Sequence, residues 1–92
     1  MDHLKSTHTT LDHMRKGEKA IVTDVFSHAQ HGMHDIARRL KELGFVKGEE
    51  VSILHKGYFG GEPIAVRVGH STFALRHFEA ALIGVTPSGI VA

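Results

Sequence analysis

The chain has 92 residues, of which 41% are hydrophobic and 23% charged, values typical of one soluble globular domain. Lys and Arg number 11 against 10 acidic residues, so no strong positive field favours binding of nucleic acid or of an anionic membrane. The absence of cysteine excludes disulfides, thiolate metal ligands and a cysteine nucleophile. Apolar runs are short and the N-terminus is polar, so we expect no membrane span, no secretory signal and a cytoplasmic protein.

The N-terminal quarter of the chain is predicted to be an arm that leads into a strand. Residues 1–10 lack periodicity and are interpreted as a flexible arm. Leu11 and Met14 could close a single helical turn. Residues 18–26 then contain a run of alternating β-branched side chains, which predicts a long strand.

The strongest helix signal lies in residues 33–43, where apolar side chains recur on one helical face. Asp35 and Arg39 stand four apart with the acid first, the favourable order for an exposed ion pair. The apolar positions are Met33, Ile36, Ala37, Leu40 and Leu43.

Two glycines follow this helix and predict two tight turns. Gly44 stands where a helix favours a left-handed residue at its C-terminal end, and Gly48 marks a second turn. Phe45 and Val46 lie between the glycines, so we expect this bulky apolar pair to be presented on a turn.

The second half of the chain has the residue pattern of several strands. A glycine-rich loop, KGYFGGEP at residues 56–63, is predicted between the first two of them. Gly69 and His70 suit a two-residue hairpin turn of type II′, since glycine occupies the first central position. Residues 77–81 could form one helical turn, and residues 86–92 are interpreted as a C-terminal tail. The strands are predicted at residues 49–55, 64–68, 72–76 and 82–85.

These elements predict a mainly β fold. Five short strands with one inserted helix supply too few crossovers for a parallel α/β sheet. A small SH3-like antiparallel β-barrel closes such strands and hides most of their edges, with the helix between the first and second strands. The domain is expected over residues 11–85, between the arm at 1–10 and the tail at 86–92.

The chain contains a series of short motifs, each of which alone is weak evidence for a family. Their order and spacing together are specific. With them the chain resembles the FeoA family over about residues 11–85; these are small cytoplasmic proteins of bacterial ferrous-iron transport. The resemblance implies an SH3-like barrel with a non-catalytic role on FeoB, the membrane iron permease with a cytoplasmic GTP-binding domain. The same barrel type occurs in iron-dependent repressors, which leaves an accessory regulatory role as an alternative. The motifs are GEKA at 17–20, RLKELGF at 39–45, KGEEV at 47–51, GEPIAV at 61–66, FALR at 73–76 and EA at 79–80, with Ile83 and Val85.

Nine histidines are an unusual number for this length. His28, His31 and His34 are spaced by three, and imidazole suits Zn or Fe(II). Asp24 or Asp35 could add an oxygen ligand. These histidines lie outside the FeoA pattern, and the alternative is a set of solvated loop side chains. No cofactor is required by the expected role, and a divalent metal, bound by a metal carrier or a metal-responsive regulator, is the alternative hypothesis.

A partner-binding patch is predicted from apolar pairs on turns. Phe45 and Val46 form one pair, and Tyr58 and Phe59 in the glycine-rich loop form the other. If both pairs lie at one end of the barrel, they make an anchor patch, with Arg76 as a polar contact. The alternative for the loop aromatics is that they fold back to cover the barrel end.

Other functions are not supported by the sequence. The glycine-rich loop lacks the P-loop pattern, so the chain is not expected to bind GTP itself. No nucleophile elbow or paired-carboxylate motif indicates an enzyme. Neither a basic stripe nor a helix-turn-helix indicates nucleic-acid binding. Strand edges left at the barrel opening could support a homodimer.

Overall fold

The computed structural model describes residues 8–27, 33–57 and 60–90. One antiparallel sheet of six strands contains every strand of this part of the chain, and two helices accompany it. The strands are β1 Thr9–Thr10, β2 Glu18–Val25, β3 Glu50–Gly57, β4 Gly61–Val68, β5 Ser71–Leu75 and β6 Ile83–Ile90, and the helices are α1 Met33–Leu43 and α2 His77–Ala80. The strand order across the sheet is β1-β6-β2-β3-β4-β5. The predicted mainly β fold is therefore confirmed.

The core lies on one face of this sheet, because apolar side chains alternate along the strands. In β4, Ile64, Val66 and Val68 are buried while Arg67 is exposed. The 3₁₀ turn Leu11–His13 seals one side of the core with its buried Leu11, in the place predicted for a single turn. The largest fully buried side chains are Phe45, Leu11, Ile53, Ile64, Ile83, Val22, Val51, Val66 and Val85.

The sheet extends further toward both ends of the chain than the sequence predicted. Thr9 and Thr10, assigned to the arm, pair with β6 opposite Val85 and Gly84. Residues 86–90, assigned to the tail, continue β6 and pair with the start of β2. The sequence TPSG at 86–89 has no apolar alternation and residues 87–89 are exposed, so the strand here is defined by its backbone pairing.

Helix α1 ends as its glycine predicted. The Phe45 amide donates to the Leu40 carbonyl at 3.1 Å and the Gly44 amide donates to the Lys41 carbonyl at 3.0 Å. These two bonds, with Gly44 at φ +121°, form a Schellman motif. The predicted pair of Asp35 with Arg39 is wrong, since Asp35 pairs with Arg38 at 3.3 Å, one residue earlier.

The β4–β5 hairpin and α2 also follow the prediction. Gly69 has φ +61°, and no described non-glycine residue has positive φ. The turn therefore fits type II′ and excludes type I′, which needs positive φ at His70 as well. The single helical turn predicted after β5 is α2.

Candidate functional site

The turn between α1 and β3 is fixed to the sheet by its backbone. The Gly48 amide donates to the Val22 carbonyl at 2.8 Å, and the Val22 amide donates to the Glu49 carbonyl at 2.9 Å. Within the turn, the Glu49 amide donates to the Val46 carbonyl at 3.0 Å, and Gly48 has φ +94°. With the helix cap on one side and β2 on the other, this turn is held in one conformation.

Phe45 and Val46 differ in exposure although they are adjacent. Phe45 is 0% exposed, and its ring centroid lies 6.0 Å from that of Phe73. Val46 is 42% exposed. The expectation that both side chains are presented on the turn is therefore wrong for Phe45. The residue after the capping glycine of a Schellman motif commonly packs back on the helix, here beside the buried Leu40.

A groove of about 330 Å³ lies beside Val46, between the end of α1 and the end of β2. Lys41 and Lys47 bring two exposed ammonium groups to it, and Asp24 brings an exposed carboxylate. Asp24 Oδ1 also accepts a hydrogen bond from the Val25 amide at 2.8 Å. Of its apolar lining residues only Val46 is exposed, so the groove offers one exposed apolar side chain among charged groups, which suits non-covalent contact with a protein surface. The lining residues are Thr23, Asp24, Val25, Lys41, Phe45, Val46 and Lys47.

A second exposed apolar residue lies on α2. Phe78 is 46% exposed, and Arg76 beside it is also exposed. His77 joins this helix to the end of the glycine-rich loop. Its Nε2 lies 2.7 Å from the Gly60 carbonyl oxygen, and its amide donates to Glu62 Oε2 at 2.5 Å. Sequence reasoning missed Phe78, although its position two residues before the buried Ala80 in a one-turn helix placed it on the outer side.

Val46 and Arg76, two residues of the predicted patch, lie at different ends of β3. Val46 precedes the first residue of β3, whereas Arg76 follows Leu75, whose partner Ile64 pairs with Lys56 near the last residue of β3. A strand of this length spans roughly 23 Å. Tyr58 and Phe59 themselves lie outside the described residues. Among the described residues of the predicted patch, Val46 and Arg76 therefore belong to different ends of the strand, and a contact that includes Tyr58 and Phe59 remains a prediction.

The predicted histidine ligands fall largely outside the description. His28 and His31 lie outside it, and His34 is described only as backbone near the start of α1. Within residues 8–27, 33–57 and 60–90, no group of three or more His, Asp or Glu side chains could hold a metal ion. The histidine metal site remains a prediction. Neither α1 nor α2, the helices of the described ranges, is long and apolar enough to cross a membrane.

A comparison with known protein families shows which family the chain belongs to. The FeoA domain model matches residues 9–87. The chain belongs to the FeoA family. The match begins at β1 and ends within β6, so it spans the whole described sheet except the last residues of β6.

Solved structures agree with this assignment. FeoA of Stenotrophomonas maltophilia is 49% identical, with a TM-score of 0.73 over 84% of this chain and 88% of that one. It was solved in complex with zinc and is described as an SH3 domain protein and a candidate activating factor of ferrous iron transport. A FeoA-like protein of Clostridium acetobutylicum is 25% identical, with a TM-score of 0.75 over 90% of both chains. No curated protein matches the chain.

A further likeness concerns the fold only. A manganese-dependent transcriptional repressor aligns with 91% of this FeoA-family chain at a TM-score of 0.73 and 19% identity. The chain covers only 44% of that repressor. The sheet described above is therefore the SH3-like architecture of FeoA proteins, a family linked to ferrous iron transport.

Proposed function

We propose that this FeoA-family protein is a non-catalytic accessory protein of bacterial ferrous iron uptake. It docks on the cytoplasmic GTP-binding part of a FeoB-type permease and modulates transport. The observation that carries the proposal is Val46, a 42% exposed apolar side chain on a turn held by a helix cap and by β2. A fixed apolar anchor loses little conformational entropy on binding, so it favours a specific partner. Docking modulates the permease because the module prefers one of its conformations.

Val46 is the proposed primary contact, with Lys41 and Lys47 as charged groups at its rim. Phe45 is assigned to supporting the turn from the core and not to touching the partner, since it is fully buried. Arg76 is assigned to a second contact at the other end of β3, and Tyr58 and Phe59 are proposed to take part in the same contact. This arrangement requires a partner surface that reaches both ends of the strand.

The primary contact is tested by titrating the isotope-labelled protein with the isolated GTP-binding domain of its cognate permease. Val46→Asp introduces a charge into an apolar contact, and we expect the affinity to fall about tenfold. Lys16→Ala, an exposed change before β2, is the matched control and should leave the affinity unchanged. Wild-type affinity in Val46→Asp would remove the turn from the interface.

The second contact is tested separately with Arg76→Ala and with the double variant Tyr58→Ala/Phe59→Ala. Each should weaken docking while amide shifts around Val46 persist on titration. If the loop aromatics only cover the barrel end, the double variant will instead lower the free energy of unfolding and leave affinity unchanged.

A divalent metal is the second candidate, because the Stenotrophomonas maltophilia protein was solved with zinc. Under this proposal His28, His31 and His34 bind Zn or Fe(II), and the protein acts as a metal carrier or a metal-responsive regulator. Calorimetric titration of chelator-treated protein with zinc should give one equivalent bound. His31→Ala should abolish it, while His70→Ala, an exposed change in the β4–β5 turn, should not. Equal binding by both variants would mean adventitious metal.

A further inference from the structure

Strand β5 leaves one edge of the sheet open. It pairs with β4 on one side, and in the described part of the chain no strand pairs with its other side. The opposite edge of the sheet, β1, has only two residues. Proteins usually guard exposed edges with charges, proline or very short strands, and the five residues of β5, STFAL, include neither a charge nor a proline.

The register of the β4–β5 hairpin determines which backbone groups face outward. A two-residue turn makes Val68 and Ser71 a hydrogen-bonded pair. Since bonded and non-bonded pairs alternate, Thr72 and Ala74 direct their N–H and C=O groups away from β4. Among the described residues, no backbone hydrogen bond outside the strands involves either of them. The outer edge therefore presents two donors and two acceptors at strand spacing.

The side chains along this edge permit close approach. Thr72 and Ala74 are small and exposed on the outer face, opposite Arg67 and Ala65 of β4. Phe73 points to the inner face, where its ring packs at 6.0 Å from that of Phe45 and remains half-buried. A strand added here would set an apolar residue against Phe73 and alternate residues on the outer face.

The charges around the edge favour an acidic occupant. Arg67 lies opposite Thr72 and is exposed, and Arg76 follows β5 directly. No ion pair to either arginine occurs among the described residues. A second copy added antiparallel to β5 would present its own Thr72 and Ala74 on the outer face, so it would offer Arg67 no carboxylate. Carboxylates on the outer face of an added strand would instead meet Arg67 across the small Thr72.

From these observations we infer that β5 binds an extended acidic segment of a protein partner as a seventh strand. Backbone bonds to Thr72 and Ala74 supply affinity, an apolar residue packs on Phe73, and a carboxylate opposite Thr72 on the outer face reaches toward Arg67. This inference does not depend on the permease as partner. It concerns the β5 edge and not the Val46 turn.

The test uses a synthetic peptide of alternating glutamate and valine with blocked ends, titrated into the isotope-labelled full chain. The amide signals of Thr72 and Ala74 should shift, and their hydrogen exchange should slow. A peptide with lysine in place of glutamate should not bind. No change at these two amides, or equal binding of the lysine peptide, would overturn the inference.

Two variants of the protein locate the binding. Ala74→Pro removes an outward N–H that the described fold does not use, and we expect affinity to fall about tenfold. Ala74→Val keeps the N–H and should bind like wild type. Arg67→Glu leaves the backbone of β5 intact and should weaken the glutamate peptide several-fold, so the inference stays testable if the proline variant misfolds.

Analytical ultracentrifugation of the protein without peptide tests whether a second copy of the chain, and not an acidic segment, occupies the β5 edge. The expected result is a species whose mass does not change with concentration. Self-association that Ala74→Pro abolishes would identify a second copy as the occupant and overturn the acidic segment.

Discussion

Phe45 and Val46 illustrate at the residue scale how the same hydropathy leads to opposite roles. The Schellman motif directs Phe45 into the core, where it packs on Phe73. The next residue of the turn, Val46, is exposed. Neighbouring apolar residues in a turn therefore need the backbone conformation before a role can be assigned.

Phe45→Ala tests this assignment through stability. It removes the most voluminous of the fully buried side chains in the described part of the chain. We expect the free energy of unfolding in urea to fall by about 3–5 kcal/mol. Phe45→Leu should cost under about 1.5 kcal/mol, and Val46→Ala no more than about 0.5 kcal/mol. A stable Phe45→Ala protein would mean that the ring is not a core group.

At the scale of elements, a bulge in β2 and a glycine in β6 fit together. The pairing shifts between Val22 and Asp24, which leaves Thr23 as the extra residue. A Cβ at Gly84 on the facing strand would lie 2.9 Å from Cζ of Phe26 and 3.1 Å from Oγ1 of Thr23. Because Gly84 has no side chain, the side chains of Thr23 and Phe26 can lie close to its backbone.

Gly84→Ala should therefore lower the free energy of unfolding by about 1–3 kcal/mol, because the added methyl group must displace the Phe26 ring. In a Phe26→Ala background the same substitution should cost clearly less. Urea unfolding of the four proteins of this double-mutant cycle measures the difference. An equal cost in both backgrounds would show that the ring is not the obstacle.

At the scale of the whole molecule, β6 joins the two ends of the chain. It pairs with β1 near the N-terminus and with all but one residue of β2, and its last residues lie opposite residues 18–21. These contacts have long sequence separation, so local patterns carry little trace of them. Residues 86–90 are consequently an integral part of the sheet.

Deleting residues 86–92 should destabilise the fold as a whole, because it removes the ladder between the end of β6 and the start of β2. We expect a clearly lower Tm or loss of the cooperative transition, followed by circular dichroism. A chain that ends at Ile90 keeps the whole ladder and serves as the control. An unchanged Tm in the shorter chain would support the original interpretation of a tail.

The helix, the single turns and the hairpin could be predicted because their signals are local. Gly44 after a periodic apolar face, and Gly69 before His70, each identify one backbone conformation. The candidate site was predicted less well. The expected exposure of Val46 is observed, but Phe45 is buried and the exposed Phe78 was missed, because exposure depends on what packs against a residue.

The sequence by itself therefore determined the mainly β class, the position of α1 and its cap, and the resemblance to the FeoA family. Hydrophobic periodicity and glycine positions depend on residues that are close in the sequence, so the elements they specify can be predicted from the sequence alone. Only the tertiary structure decided that residues 86–90 are a strand and that Phe45 is buried while the adjacent Val46 is exposed. It also left β5 as an edge with no second partner strand among the described residues, since strand pairing joins residues far apart in the sequence.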